Sequence, residues 1–171
     1  MRVKLLDVRV YYLQMFAPPQ ADVAPPPLGS LQVLHAQQPQ VGYYRYLYDA
    51  VGHDYCWLSR RRLSDDELAA IIQHPQVELH VLHVNGTPAG FAELDRRQPG
   101  EIELKQFGLM PGFLGKGLGK WFLRWTIERA FSYGPERFWL HTCTLDHEAA
   151  LPNYQKAGFE LYQTEEISRE P

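Results

Sequence analysis

Three glycines spaced two apart, Gly115, Gly117 and Gly119, with Lys116 and Lys120 among them, carry the most direct chemical signal in this 171-residue chain. They end the stretch Leu109-Met110-Pro111-Gly112-Phe113-Leu114-Gly115-Lys116-Gly117-Leu118-Gly119-Lys120. Before it, Glu101 to Leu109 reads as a strand, because Ile102, Leu104 and Phe107 are strand formers and Gln98-Pro99-Gly100 marks a turn. After it, Leu118, Trp121, Phe122 and Trp125 recur at helical spacing. Leu123, Ile127, Ala130 and Phe131 fill a second apolar row, and Tyr133-Gly134-Pro135 stops the helix. The loop therefore opens a helix. The first N–H groups of a helix lack internal partners, its dipole favours negative charge there, and glycines let a phosphate reach the backbone.

Two common phosphate motifs fail on named residues. A dinucleotide fingerprint needs G-x-G-x-x-G, and Gly115-x-Gly117-x-Gly119 has the wrong third spacing. A nucleotide P-loop needs G-x-x-x-x-G-K-[ST], but Leu114 stands at its first glycine and Trp121 at its magnesium-binding hydroxyl. What the stretch resembles is the acyl-CoA pyrophosphate loop of the GNAT superfamily of N-acyltransferases, [Q/R]-x-x-G-x-[G/A] at the start of a helix. Gly117 and Gly119 match its small positions, Met110-Pro111 is similar to its lead-in, and Leu114 replaces its Arg or Gln. A second stretch, His147 to Phe159, resembles the family's N-x-x-A-x-x-x-Y-x-x-x-G-F, with Ala150, Tyr154, Gly158 and Phe159 in register and His147 in place of Asn.

The resemblance implies a fold and a reaction. The fold is a mixed, mostly antiparallel sheet with helices on both faces, in the order β-α-α-β-β-β-α-β-α-β, with two parallel strands splaying at the cofactor site. The reaction is direct transfer of an acetyl group from acetyl-CoA to a primary amine in a ternary complex. In it the backbone of Leu114, Gly115, Lys116, Gly117, Leu118, Gly119 and Lys120 would face the diphosphate. The N–H of Leu109 would hold the oxyanion of the tetrahedral intermediate. An alkyl ammonium with pKa near ~10.4 must lose a proton before it attacks. Glu103, on the central strand, is the residue implied to take that proton through water, with Glu101 as fallback. A phenol can return a proton to the departing thiolate, and Tyr154 stands where the family places that acid. His141 and His147 are secondary candidates around these groups. A CoA-binding regulatory or interaction module without turnover is the alternative, since Leu114 and His147 depart from the motifs. A nucleotide phosphotransferase is a third reading.

The elements that must position these residues are legible in outline. Val3 to Met15, with Val8, Val10 and Tyr12 alternating against Asp7 and Arg9, predicts a first strand. Residues 17–40, from Ala17-Pro18-Pro19 through Pro25-Pro26-Pro27, predict a long proline-rich loop. Val41 to Val51 and the capping box Ser64-Asp65-Asp66-Glu67 predict two helices. By the resemblance, His53, Asp54, Tyr55 and Trp57 between them would meet the acceptor. Val77 to Val84 and Thr87 to Leu94, joined by Asn85-Gly86, predict a hairpin. His80 and His83 point to opposite faces of its first strand, so they share no metal, and none is expected. Arg137 to Leu145 predicts a strand parallel to 101–109, and Pro152 predicts a helix beginning near it and ending at Gly158. Only Leu161 to Thr164 reads as strand before a charged tail, 165–171. The family usually has two strands there, so the shortened edge is open to solvent or to a second subunit in a homodimer.

Composition narrows the class. Chain length suits one domain over residues 1–171. A net charge of −3 and the lack of any basic run beyond Arg60-Arg61-Arg62 argue against nucleic acid. The arginine triplet reads as a solvated helix end. No run approaches the ~20 apolar residues of a membrane span. Asp7 and Arg9 interrupt any leader core. Cys56 and Cys143 fit no zinc spacing, so a cytoplasmic protein with reduced thiols is expected, acting on a small-molecule or peptide amine.

Overall fold

The computed structural model describes residues 3–171. Its strands are β1 (Leu6–Met15), β2 (Leu31–Ala36), β3 (Val77–Val84), β4 (Thr87–Asp95), β5 (Glu101–Leu109), β6 (Arg137–Cys143) and β7 (Glu160–Arg169). The helices are α1 (Val41–Gly52), α2 (Asp65–Ile72), α3 (Leu118–Phe131) and α4 (Ala150–Lys156). The strands form one sheet in the order β2-β3-β4-β5-β6-β1-β7. Every neighbouring pair is antiparallel except β5 and β6. The fold is therefore the mixed, mostly antiparallel sheet with helices on both faces that the sequence implied.

Local signals act where expected. Asn85 and Gly86 both take positive φ, 50° and 82°, as a two-residue hairpin turn of that hand requires. Ser64 accepts a hydrogen bond from the Glu67 N–H while the Glu67 carboxylate accepts from the Ser64 N–H, which fixes the start of α2. Alternation then sorts the faces. On one face, Leu82, Leu94, Ile102, Leu104, Phe138, Leu140 and Leu13 pack against Phe122, Leu123 and Ile127 of α3. On the other, Leu79, Val81 and Phe91 pack against Tyr44, Leu47 and Val51 of α1 and Leu68 and Ile72 of α2.

The structure corrects five expectations. Residues 17–40 are not all loop, because Leu31–Ala36 forms β2 on β3, with Leu31, Val33 and His35 opposite Val84, Leu82 and His80. Prolines on both sides obscured that short alternating run. The strand that leads into α1 is therefore β2 at the sheet edge, while β1 lies at the far side, between β6 and β7. The C-terminal strand runs on through Arg169, into the presumed tail: Glu166 faces Arg9, and the two side chains meet at 2.6 Å. α4 begins at Ala150, two residues before Pro152, which still falls in the first turn where a missing N–H costs nothing. Finally, Arg60 is not solvated. It is only 7% exposed, and its Nη2 donates to Glu93 Oε2 at 2.6 Å.

That ion pair anchors the segment between α1 and α2 to the sheet. Glu93 also accepts from the Tyr44 hydroxyl, and the Arg60 N–H donates to the Tyr48 hydroxyl at 3.3 Å. Removing one partner strands a charge away from water, which costs about 3–5 kcal/mol, whereas an exposed pair contributes about 1 kcal/mol or less. Arg60→Ala is thus expected to lower unfolding stability by several-fold more than Arg9→Ala, measured by urea denaturation. Equal effects would refute an anchoring role for Arg60.

Candidate active site

β5 and β6 are paired only at their starts, Glu101 opposite Arg137, Ile102 opposite Phe138 and Glu103 opposite Trp139. Beyond Glu103 the register ends, and β6 is held only by β1, from Val10 opposite Cys143 to Met15 opposite Phe138. A slot therefore opens along the upper half of β5. Met110 N–H donates to the Ala89 carbonyl at 2.8 Å, and Gly90 lies opposite Leu109. Since donors alternate sides along a strand, the N–H of Leu109 points away from β4 and into the slot.

The glycine loop sits at the top of that slot. After a 3₁₀ turn at Pro111–Phe113, Gly115 and Gly117 take φ of 73° and 77°, left-handed values that side chains disfavour. Gly117 caps α3, and no acidic residue occupies the first turn. A Cβ at Gly112 or Gly115 would meet nothing within 4 Å, and one at Gly119 would come within 3.5 Å of Leu109 Cδ1. An open, backbone-lined cradle at a helix N-terminus fits a diphosphate, so the residues present suit CoA. Leu114 is partly exposed and adds no polar contact.

Tyr154 of α4 stands on the α3 side of the slot, its ring edge-on to Phe107 at 6.3 Å and to Phe159 at 6.0 Å. Burial pushes its phenol well above the ordinary value, and the Asp146 carboxylate adds to the rise. Across the sheet, Glu103 faces the other side together with Trp139, His141 and Tyr12. Burial raises the Glu103 pKa; the Asp95 and Glu93 carboxylates reinforce the rise, and the Lys105 ammonium, 3.6 Å away, opposes it. His141 Nε2 lies 3.8 Å from Glu103 Oε1, and its ring is 5.8 Å from that of Tyr12. Desolvation and Lys105 lower the His141 pKa, although nearly half of its side chain meets solvent. Glu101 is engaged by Arg137 at 3.2 Å and lies at the closed end of the slot.

Of the aromatics expected to meet an acceptor, Trp57 reaches the slot, donating from Nε1 to Asp146 Oδ1 at 3.2 Å. Tyr55 reaches only the following loop, its ring edge-on to His147 at 5.8 Å. Asp146 is the residue that sequence reasoning missed, because an aspartate after a strand carries no motif. It also accepts from the Thr142 hydroxyl at 2.6 Å and the Cys143 N–H at 3.0 Å. Away from the slot, His35, Glu78 and His80 place ligand-type atoms within 4.8 Å of one another. Glu78 is already held by Arg96 at 2.7 Å, Arg129 at 3.1 Å, His80 and Tyr133, so two guanidiniums oppose a cation there.

Comparison with known families decides the class. A family model described as the Acetyltransferase (GNAT) family matches residues 32–159, which span the slot, the glycine loop and α4. The chain belongs to the GNAT acetyltransferase family. Among solved structures, it is similar to a GNAT-family protein from Novosphingobium aromaticivorans (16% identity, TM-score 0.63, covering 96% of this chain and 65% of that one). A GCN5-related N-acetyltransferase from Sphaerobacter thermophilus is similar at 15% identity and TM-score 0.64, covering 99% and 53%. An aminoglycoside acetyltransferase from an uncultured soil sample, solved with sisomicin, is similar at 11% identity and TM-score 0.61, covering 75% and 87%. At these identities the likeness is one of fold, and the chain spans only about half to two thirds of the length of the first two. No curated protein matches it.

A side chain at Gly117 would have to adopt its φ of 77°, at a cost of about 1–2 kcal/mol. Gly117→Ala is expected to weaken binding of free CoA in calorimetry about tenfold or more while the protein stays folded by circular dichroism. Gly112→Ala, in open space at ordinary φ, is the control and is expected to bind like wild type.

Proposed function

We propose that this chain is an N-acetyltransferase that moves an acetyl group from acetyl-CoA to a primary amine by direct transfer in a ternary complex. The observation that carries this reading is the parting of β5 from β6 beside a helix that begins with glycine. Acetyl-CoA would supply the activated acyl group as a thioester, and everything else falls to the chain. Backbone amides from Gly115 to Lys120, with the Lys116 and Lys120 ammoniums near them, bind the diphosphate. The inward N–H of Leu109 polarises the carbonyl oxygen at the point where negative charge develops. Glu103 takes the amine proton through water, and a raised pKa suits it to that work. Tyr154, kept protonated by burial and by Asp146, holds the proton that the departing sulfur needs.

GNAT neighbours include an aminoglycoside acetyltransferase, and small amines and peptide N-termini both suit an open, aromatic face. No described helix is long and apolar enough to cross a membrane, and both cysteines are free thiols, which suits a cytoplasmic enzyme. A regulatory CoA-binding module is the second reading, favoured by Leu114 in place of a polar loop residue.

Thiol release from acetyl-CoA with a panel of amines separates the two readings. Tyr154→Phe is expected to lower kcat about 10²-fold or more with KM for acetyl-CoA little changed. CoA binding without release in any acceptor, and no change in that variant, would point to the module. For Glu103, a raised pKa means that the ionised, proton-accepting form appears only as pH climbs above the usual glutamate range near ~4.3. The rate is therefore expected to fall on acidification with a midpoint above that value. Glu103→Gln should lower the plateau and flatten this limb, and an unshifted limb in the variant would remove Glu103 from the role. The sign for stability is opposite: stability from a protonated, buried Glu103 is full below ~4.3 and is lost as pH rises through its folded value.

A further inference from the structure

Trp57 bridges the slot on the acceptor side. Its six-membered ring lies 3.6 Å from where a Cβ would stand at Gly108, the residue before the inward N–H of Leu109. Its Nε1 reaches the other bank, donating to Asp146 at 3.2 Å. Both ends are fixed. On the β5 side the indole is packed by Tyr48 at 5.3 Å and Phe91 at 6.2 Å, and the backbone of Gly52 leaves no room for any side chain beneath it. On the β6 side, Asp146 is held by the Thr142 hydroxyl and the Cys143 N–H, so its free oxygen is aimed at the indole. Asp146 also lies close enough to Tyr154 for its carboxylate to add to the rise in that phenol's pKa.

We propose that Trp57, latched to Asp146, sets the acyl-chain length this enzyme accepts, closing the slot just beyond a two-carbon group. The inference rests on the acyltransferase reading above. With the carbonyl oxygen on the Leu109 N–H, acyl carbons running past Gly108 toward the Trp57 face would meet the indole. A methyl would stop short of it; a longer chain would have to displace a ring that is hydrogen-bonded at one end and packed at the other. The glycine at 108 is part of the same device, since its missing side chain leaves the space that Val51 fills, with the Trp57 ring in contact beside it.

Calorimetry with the intact protein tests this without an acceptor, using free CoA, acetyl-CoA, butyryl-CoA and octanoyl-CoA. Wild type is expected to bind free CoA and acetyl-CoA alike, and octanoyl-CoA about tenfold or more weakly. Trp57→Ala is expected to bring octanoyl-CoA to within about threefold of acetyl-CoA while free CoA is unchanged. Trp57→Phe, which keeps a ring on Gly108 but loses the N–H to Asp146, should admit butyryl-CoA and still discriminate against octanoyl-CoA. Wild type binding all three thioesters equally, or either variant keeping the wild-type ratios, overturns the proposal and leaves the cofactor reading standing. Failure of wild type to bind even free CoA overturns the cofactor reading, and this proposal with it.

Discussion

Backbone hydrogen bonding between β5 and β6 holds for three residue pairs and then stops, and the rest of this structure is arranged around that interruption. A strand edge buried inside a sheet is costly, because each N–H and C=O left without a partner forfeits what water would have supplied. Here the edge is kept open by force from both sides. β4 holds β5 through to Leu109, and β1 holds β6 through to Cys143, so neither strand can swing over to close the gap. The helices α3 and α4 then flank the opening on one face, and the α1–α2 segment flanks it on the other. The backbone groups along such a gap are left to pair with water or with a bound molecule.

The electrostatics follow from the same geometry. The face of the sheet under α1 and α2 collects carboxylates and partners for them, Glu101 with Arg137 and Glu103 with Lys105, while Glu93 is sealed beneath by Arg60. Glu101 and Glu93 each have a guanidinium bonded to them. Glu103 has only an ammonium at 3.6 Å and the His141 ring at 3.8 Å, so burial dominates its titration. Two glutamates on one face of one strand thus differ in character because of what lies across from them. Tyr154, on the opposite face, packs edge-on against Phe107 and Phe159, and burial with the nearby Asp146 carboxylate holds its proton in place.

How much of this could be read beforehand depended on the range of the signal. Glycines 115, 117 and 119, the Asn85-Gly86 turn and the Ser64–Glu67 box act within a few residues, and each marked its element correctly. Ala150, Tyr154, Gly158 and Phe159 gave the last helix within two residues. The sheet order was another matter. Nothing in Val8, Val10 or Tyr12 says that they lie beside β6 and β7 and not beside α1, because strand alternation records which face is buried and not which neighbour is bonded. β2 was hidden by the prolines around it, and β7 by its charges, which form cross-strand partners such as Arg9 with Glu166. Arg60 looked like surface for the same reason: its partner, Glu93, is 33 residues away. Asp146 gained its meaning only when Trp57 arrived from the other half of the chain.

The family match begins at residue 32 and stops at residue 159, and the two strands outside it, β1 and β7, are neighbours. Where the motif resemblance implied a pair of strands after Phe159, this chain supplies one from each of its ends. β1 is consequently made well before either of the strands it pairs with. Until residues 137–143 have left the ribosome, Leu6–Met15 has no partner in the sheet. Until then it is an unpaired segment that carries two valines and two tyrosines. Closing that long loop makes β1 docking a high-contact-order event and a slow step by topology. The strand that holds the slot open is thus also the one most exposed to mispairing in the nascent chain.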